Sequence, residues 1–260
     1  MMIKKSLVAL AITALLFPVA IAGVKAERSK FSPTVGERLN YDVSWSDFIV
    51  AGELTLETKA LETKDRRSFD DAGGFHVTAQ AQSVGLVSAV VYKVNDIYES
   101  FVSAATLQPF RAEKNSRRGK KRQQASVTID QQKRTARLGD GRTIEIPADT
   151  YDLAGLIFAI RAMDLTQGKS RVFNVLEEDK LYKISVEPEA SERIITPAGT
   201  FDAIRMTTKT IGGAKDSNLY NLKLYVTNDA RRLPVQITAE PSWGSVRVRL
   251  TSIAGTRTTK

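Results

Sequence analysis

The chain has no cysteine in its 260 residues and a single histidine, His76. The first absence excludes disulfides, thiolate metal sites, a cysteine nucleophile and a lipid-bearing N-terminal cysteine. The second confines any Ser-His-Asp arrangement to His76, and no G-x-S-x-G is present. A metal site would lack partner histidines, and carboxylates alone suit only calcium or magnesium. No metal and no cofactor are therefore expected. His76, on a strand beside Gly73-Gly74, reads better as a surface or half-buried strand residue than as a catalytic one.

Other short motifs also fall to simpler readings. Thr166-Gln167-Gly168-Lys169-Ser170 looks like the end of a phosphate-binding P-loop. The earlier glycine that loop needs would sit where Met163 stands, and the strand-loop-helix order is reversed. The nearest carboxylate pairs are Asp149 with Asp152, Asp70 with Asp71, and Asp96 with Glu99. Glycoside hydrolysis requires two carboxylates facing each other across a cleft, which sequence neighbours do not show. A helix cap accounts for the first pair and solvated faces for the others. No catalytic residue is assigned.

Apolar residues are concentrated at the start. Met1 to Lys5 is a basic leader, Ser6 to Ala22 an apolar run with Pro18 near its end, and Val24-Lys25-Ala26 a small-x-small cleavage site, with Ala20-Ile21-Ala22 as a second. An uncleaved anchor is the competing reading, since the run is nearly long enough to span a bilayer. Pro18 and the cleavage sites favour a Sec signal peptide over residues 1–26, cleaved near Ala26, and a periplasmic mature chain. The net charge of +9 falls to +6 without Lys4, Lys5 and Lys25. A basic exported protein suits anionic partners such as lipid head groups or acidic glycans. Nucleic acid fits the charge but not the compartment.

The remainder, 27–260, reads as one β-rich domain whose polar tail is loose from about 255. Residues 149–165 are the one convincing helix. Leu153, Leu156, Ile157, Ile160 and Met163 recur at steps of three and four, Asp149 or Thr150 can cap it, and Gly168 follows where it would stop. Phe158, Ala159 and Ala162 widen the apolar surface, so the helix should be buried. Strand segments surround it: Leu39-Tyr41-Val43-Trp45, Val50 to Thr58, Phe75 to Ala81, Val94 to Val102, one starting at Gln108-Pro109-Phe110-Arg111, Ala125 to Ile129, Thr143 to Ile146, Arg171 to Glu177, Lys180 to Val186, Arg193 to Thr196, Phe201 to Ile211, Leu222 to Val226, Leu233 to Ala239 and Val246 to Leu250. Asn115 to Gly119 reads as a hairpin turn. Residues 85–92 fit a helical turn or a buried strand, the turn being preferred. About a dozen strands with short turns argue for a mainly β fold. The architecture expected is a curved antiparallel meander, closed as a half-barrel, barrel or sandwich, around one central helix.

Two groups of residues are candidates for binding. Lys114, Arg117, Arg118, Lys120, Lys121 and Arg122 place six cations in nine residues. They serve either as a solvated hairpin tip or as contacts to anionic lipid or glycan. Tyr41, Trp45, Phe75, Tyr98 and Phe101, with Leu153, Leu156, Ile157 and Ile160, can line a cavity, or simply fill the core.

An ordered series of fragments resembles the bacterial exported family known as domain of unknown function 3108. It runs through Val35-Gly36-Glu37-x-Leu39-x-Tyr41-x-Val43-x-Trp45, Gly52, Tyr92-x-Val94-x-Asp96-x-Tyr98-Glu99-Ser100 and Leu107-x-Pro109-x-Arg111. It continues with Asp152-Leu153 through Arg161, Gly168, Thr196-Pro197-Ala198-Gly199-Thr200-Phe201 and Asp229-x-Arg231-Arg232-Leu233-Pro234-Val235. Tyr225 departs from it, at a position where tryptophan is frequent. The resemblance implies no activity and carries over no catalytic residue. The expected function is a non-enzymatic periplasmic binding or carrier module for an amphipathic or anionic envelope component, a lipid or lipid-linked glycan, that touches membranes only peripherally. An envelope assembly factor acting on a protein partner is the alternative, and an envelope hydrolase the least favoured reading.

Overall fold

Alternation along the chain becomes a sheet with one buried face. In the first strand Leu39 and Tyr41 are buried while Asn40 and Asp42, each following one of them, are partly exposed, the two-residue period of a half-buried strand. The structure, a computed structural model, describes residues 31–45, 49–62, 73–85, 93–213, 221–240 and 245–255. The stretch expected to be a signal peptide, residues 1–26, residues 86–92 of the ambiguous stretch, Asp70-Asp71 and the tail beyond 255 lie outside the described residues.

Among the described residues fifteen strands and one helix follow in order. They are β1 (Arg38–Trp45), β2 (Ile49–Ala60), β3 (Gly74–Ser83), β4 (Val94–Ser103), β5 (Pro109–Arg118), β6 (Lys121–Asp130), β7 (Thr135–Leu138), β8 (Thr143–Glu145), β9 (Thr150–Tyr151), α1 (Leu153–Ala162), β10 (Arg171–Glu177), β11 (Lys180–Thr196), β12 (Gly199–Gly213), β13 (Leu222–Thr227), β14 (Pro234–Ala239) and β15 (Val246–Ala254). All belong to one sheet, ordered 8-7-6-5-4-3-2-1-15-14-13-12-11-10-9. Every pairing is antiparallel except β9 with β10. The first and last strands meet in the middle of this order, where β1 pairs with β15 from Arg38 opposite Ala254 to Trp45 opposite Val246.

The strands exceed the expected dozen for local reasons. Thr135–Leu138 is only four residues long, too short for alternation to register. β9 lies where the helical pattern was extended too far. The helix is therefore shorter than 149–165. Asp149 has φ +54, Thr150 and Tyr151 pair in parallel with Asn174 and Val175, and Asp152 is the cap. At the other end Met163 is already extended, and Gly168 belongs to the next turn. The hairpin turn expected at 115–119 is displaced too: Asn115 to Arg118 stay in β5, and the chain reverses at Gly119-Lys120. β11 is one seventeen-residue strand rather than two. Its register shifts between Pro188 and Ser191, as a bulge does where proline removes a ladder donor.

The edge strands β8 and β9 are consecutive in the chain, so the open sheet curls back towards itself. Side chains, not ladder bonds, cover the remaining gap. Leu176 and Leu181 from the β10–β11 hairpin pack with Ala112, Val127, Ile129, Ala136 and Leu138 of β5–β7. The other face of that hairpin, through Phe173, Val175, Tyr182 and Ile184, packs on Leu156, Ala159 and Ile160 of α1. Ala154 and Phe158 meet Leu39, Leu56, Val77, Val102, Tyr225, Val235 and Leu250. The helix thus fills the concave side of the sheet, and seven of its ten residues are buried.

Candidate functional site

Both ends of α1 are tied to distant strands by polar groups. At the N-terminus the Asp152 carboxylate accepts from Gly155 N and from Ser100 Oγ, each at 2.9 Å. Burial pushes its pKa up to about 6, against the lowering effect of those bonds. Near the C-terminus Arg161, 1% exposed, forks onto the Glu37 carboxylate at 2.7 and 3.0 Å and donates to Arg231 O at 2.9 Å. Its guanidinium also lies over the rings of Phe31 and Phe158. Arg232 donates to the carbonyls of Arg161 and Met163, placing a cation on the last helical carbonyls, where the dipole favours it. Asp229 holds that loop by accepting from Thr227 Oγ1 and from the amides of Arg231 and Arg232.

Held in this way, α1 presents Leu153, Leu156, Ile157 and Ile160 to a cavity of about 190 Å³. The opposite wall is Tyr41, Leu54, Leu56, Ala79, Ile184, Leu222, Leu224, Pro234 and Ile237, with Thr208. The polar atoms nearby are engaged. Tyr41 Oη donates to Pro234 O at 2.8 Å, and Thr208 Oγ1 donates to Leu222 O and accepts from Leu222 N. What faces the space is hydrocarbon. Five of the nine residues singled out as cavity-lining are here: Tyr41, Leu153, Leu156, Ile157 and Ile160.

A second, larger hollow of about 660 Å³ lies between β4–β7, the β10–β11 hairpin and the start of α1. Tyr98, Ala112, Val127, Leu138, Leu153 and Leu176 supply its apolar surface. Its charges are Glu99, Glu113, Asp140, Asp152, Glu177, Glu178 and Asp179 against Lys114 and Arg142. Lys114 Nζ sits 2.6 Å from Glu178 Oε1, 3.6 Å from Glu177 Oε1 and 5.3 Å from the Tyr98 ring centroid. Burial lowers the Lys114 pKa, but the Glu178 carboxylate and Tyr98 raise it more, so the net shift is upward and the ammonium is held charged. The excess of carboxylates makes this groove a poor seat for an anion. Leu153 lines both spaces.

The other sequence candidates are elsewhere. Trp45 is 45% exposed at the end of β1. Phe75 packs beside the main core. Phe101 joins Leu61 and Phe110 and stacks on His76 at 4.6 Å between ring centroids. His76 Nε2 is 2.9 Å from Glu99 Oε1. Of the six basic residues, Lys114 is committed to the groove and Arg118 forks onto Asp96 at 2.7 and 3.0 Å. Asp96 also accepts from Ser116; burial raises its pKa, but the bonds from Arg118 and Ser116 outweigh it and hold the carboxyl below its usual range. Arg117, Lys120, Lys121 and Arg122 are exposed around the turn. Asp149, expected as a cap, accepts from Gln108 instead. Sequence reasoning missed the Glu37–Arg161 pair and the Arg232 cap, although those residues stand in the fragments that carry the family resemblance. Among the described residues no group of three or more His, Asp or Glu could hold a metal ion.

No curated protein matches the chain. Among solved structures it is similar to a β-barrel-like protein of the domain of unknown function DUF1849 from Brucella abortus. That pair shares 9% identity over 85% of this chain and 98% of the other, with a TM-score of 0.55. A DUF1089 family protein from Pseudomonas aeruginosa aligns at 11% identity over 69% of this chain and 87% of the other, with a TM-score of 0.41. The first likeness shows a shared β-barrel-like fold. The model of the family described as "Protein of unknown function (DUF3108)" matches residues 40–251, and the chain belongs to that family.

Proposed function

We propose that the protein is an exported binding or carrier module for an amphipathic cell-envelope component, a lipid or lipid-linked glycan. The observation that carries this reading is the hydrocarbon-lined space of about 190 Å³ between α1 and the sheet. A dry apolar cavity of about 150 Å³ is enough to take benzene, so this one has room for a segment of an acyl chain. An apolar segment entering it leaves water for hydrocarbon walls and gains dispersion contact there. The adjoining groove has the volume usual for ligand sites, about 300–1,000 Å³. Its carboxylates suit the hydroxyls of a glycan, which donate hydrogen bonds, better than a phosphate. Export rests on the N-terminal signal pattern, and the described residues contain no helix long and apolar enough to cross a membrane.

The test is extraction of the protein, purified from its native envelope, with organic solvent. Near-stoichiometric lipid is expected for the wild type and much less for Ala79→Leu, which pushes side-chain volume into the cavity. Lipid-free wild-type protein refutes the reading. Strand addition by a protein partner is the second reading, since besides the short edges β8 and β9 the part of β6 before Val127 and the part of β11 after Val186 have a ladder partner on one side only.

A further inference from the structure

We propose that one rim of the sheet is a docking surface for an anionic lipid bilayer. The hydrogen-bonded rows define that rim. Val43 of β1 lies opposite Gly52 of β2, and Gly52 opposite Ser83, the last residue of β3. β3 then turns back to β4, whose first residue, Val94, pairs with Arg118, and Arg118 pairs with Lys121 across the β5–β6 turn. The end of β1 with the start of β2, and the β5–β6 tip, therefore lie at the same end of the sheet, four strands apart, roughly 20 Å at the usual interstrand spacing.

Two kinds of side chain gather there. Trp45, Ile49 and Val50 are 45%, 52% and 45% exposed at the β1–β2 turn. Trp45 pairs with both Ile49 and Val246, so a rigid two-sided ladder holds it at the end of the sheet. Ile211, near the end of β12 on the same rim, is 57% exposed. The β5–β6 tip adds Arg117, Lys120, Lys121 and Arg122, all exposed. The Arg118 fork onto Asp96 anchors the tip and leaves the other four cations facing outward. Exposed tryptophan and branched aliphatics along the same rim as a cluster of lysine and arginine match the chemistry of an anionic membrane interface. The ring settles at head-group depth, and the cations meet the negative surface potential. A protein surface of opposite charge would satisfy the cations but gives no reason for the aliphatic residues to stand in water.

The proposal does not depend on the cavity. It does fit it, since Leu222, which lines the cavity, is the first residue of β13 at this rim, and Ile237 lies two residues from the end of β14.

The test is sedimentation of the mature chain with vesicles of phosphatidylcholine alone or mixed with phosphatidylglycerol. A Trp243→Phe background leaves Trp45 as the only tryptophan, of two in the chain. Expected results are binding to the mixed vesicles that weakens with salt, a blue shift of Trp45 emission on binding, and little binding to phosphatidylcholine alone. Replacing Arg117, Lys120, Lys121 and Arg122 together by Ser should weaken binding on the order of 1,000-fold. These side chains are exposed, and an unchanged thermal transition will show that the variant folds. Absence of wild-type binding, salt-insensitive binding, or equal binding by the quadruple variant overturns the proposal. Ala79→Leu should still sediment with the vesicles, so failure here is distinct from failure of the carrier reading.

Discussion

The Glu37–Arg161 pair offers a quantitative test of how the helix is held inside the sheet. The guanidinium is 1% exposed and the carboxylate residue 7%, and they meet through two hydrogen bonds at 2.7 and 3.0 Å. Glu37→Leu leaves Arg161 buried with only the Arg231 carbonyl and the faces of Phe31 and Phe158. Arg161→Met leaves a buried carboxylate with no counter-charge. Removing one partner of a buried pair costs about 3–5 kcal/mol, because the survivor has lost both water and its partner. The double variant removes both charges and places two apolar side chains against Phe31 and Phe158. It should return to within about 1 kcal/mol of the wild type, or exceed it. The interaction energy in the cycle is then large and opposite in sign to the single losses. Urea unfolding followed by far-ultraviolet circular dichroism measures all four proteins. Single variants that each cost under about 1 kcal/mol, or losses that simply add, would refute the view that this pair clamps α1.

Two further perturbations address the helix ends. Asp152, pushed from 3.8 up to about 6 by burial, binds its proton more tightly folded than unfolded. Its contribution is therefore fully present below about pH 4 and lost as pH rises through 6, on the order of 3 kcal/mol in all. Asp152→Asn, which keeps the acceptor for Gly155 N, should flatten stability between those pH values, and an unchanged profile in urea titrations across that range contradicts this. Arg232→Ala strips the donor from the Arg161 and Met163 carbonyls. It should cost about 1–3 kcal/mol and speed amide exchange in the last turn of α1, whereas unchanged exchange there argues against the cap.

The sequence carried the local features of this fold and few of the distant ones. Alternation at Leu39-Tyr41 or Leu222-Leu224 is visible because a strand's two faces see different solvents, and the 3.6-residue stripe of α1 is visible for the same reason. The helix start was misplaced because Thr150–Tyr151 are held extended by Asn174 and Val175, partners that no local pattern reveals. The basic stretch could have been divided. A two-residue period puts Lys114, Ser116 and Arg118 on the face of Asp96 and Tyr98, and leaves Arg117 on the other. Glu37 and Arg161 are 124 residues apart, and nothing in either neighbourhood marks them as partners. The fragments that carried the family resemblance contain Glu37, Ser100, Asp152, Arg161, Asp229 and Arg232, and these converge on the two ends of α1. Their clustering explains the resemblance as a way of seating one helix, and the cavity beside that helix as its consequence.

The proposed acyl-chain site is the space between α1 and the sheet. Native mass spectrometry of the delipidated protein, titrated with a lysophospholipid, tests that assignment directly. The account predicts a saturable one-to-one adduct that Ala79→Leu weakens severely while the variant stays folded. No adduct, or an adduct of equal strength in both proteins, would contradict it.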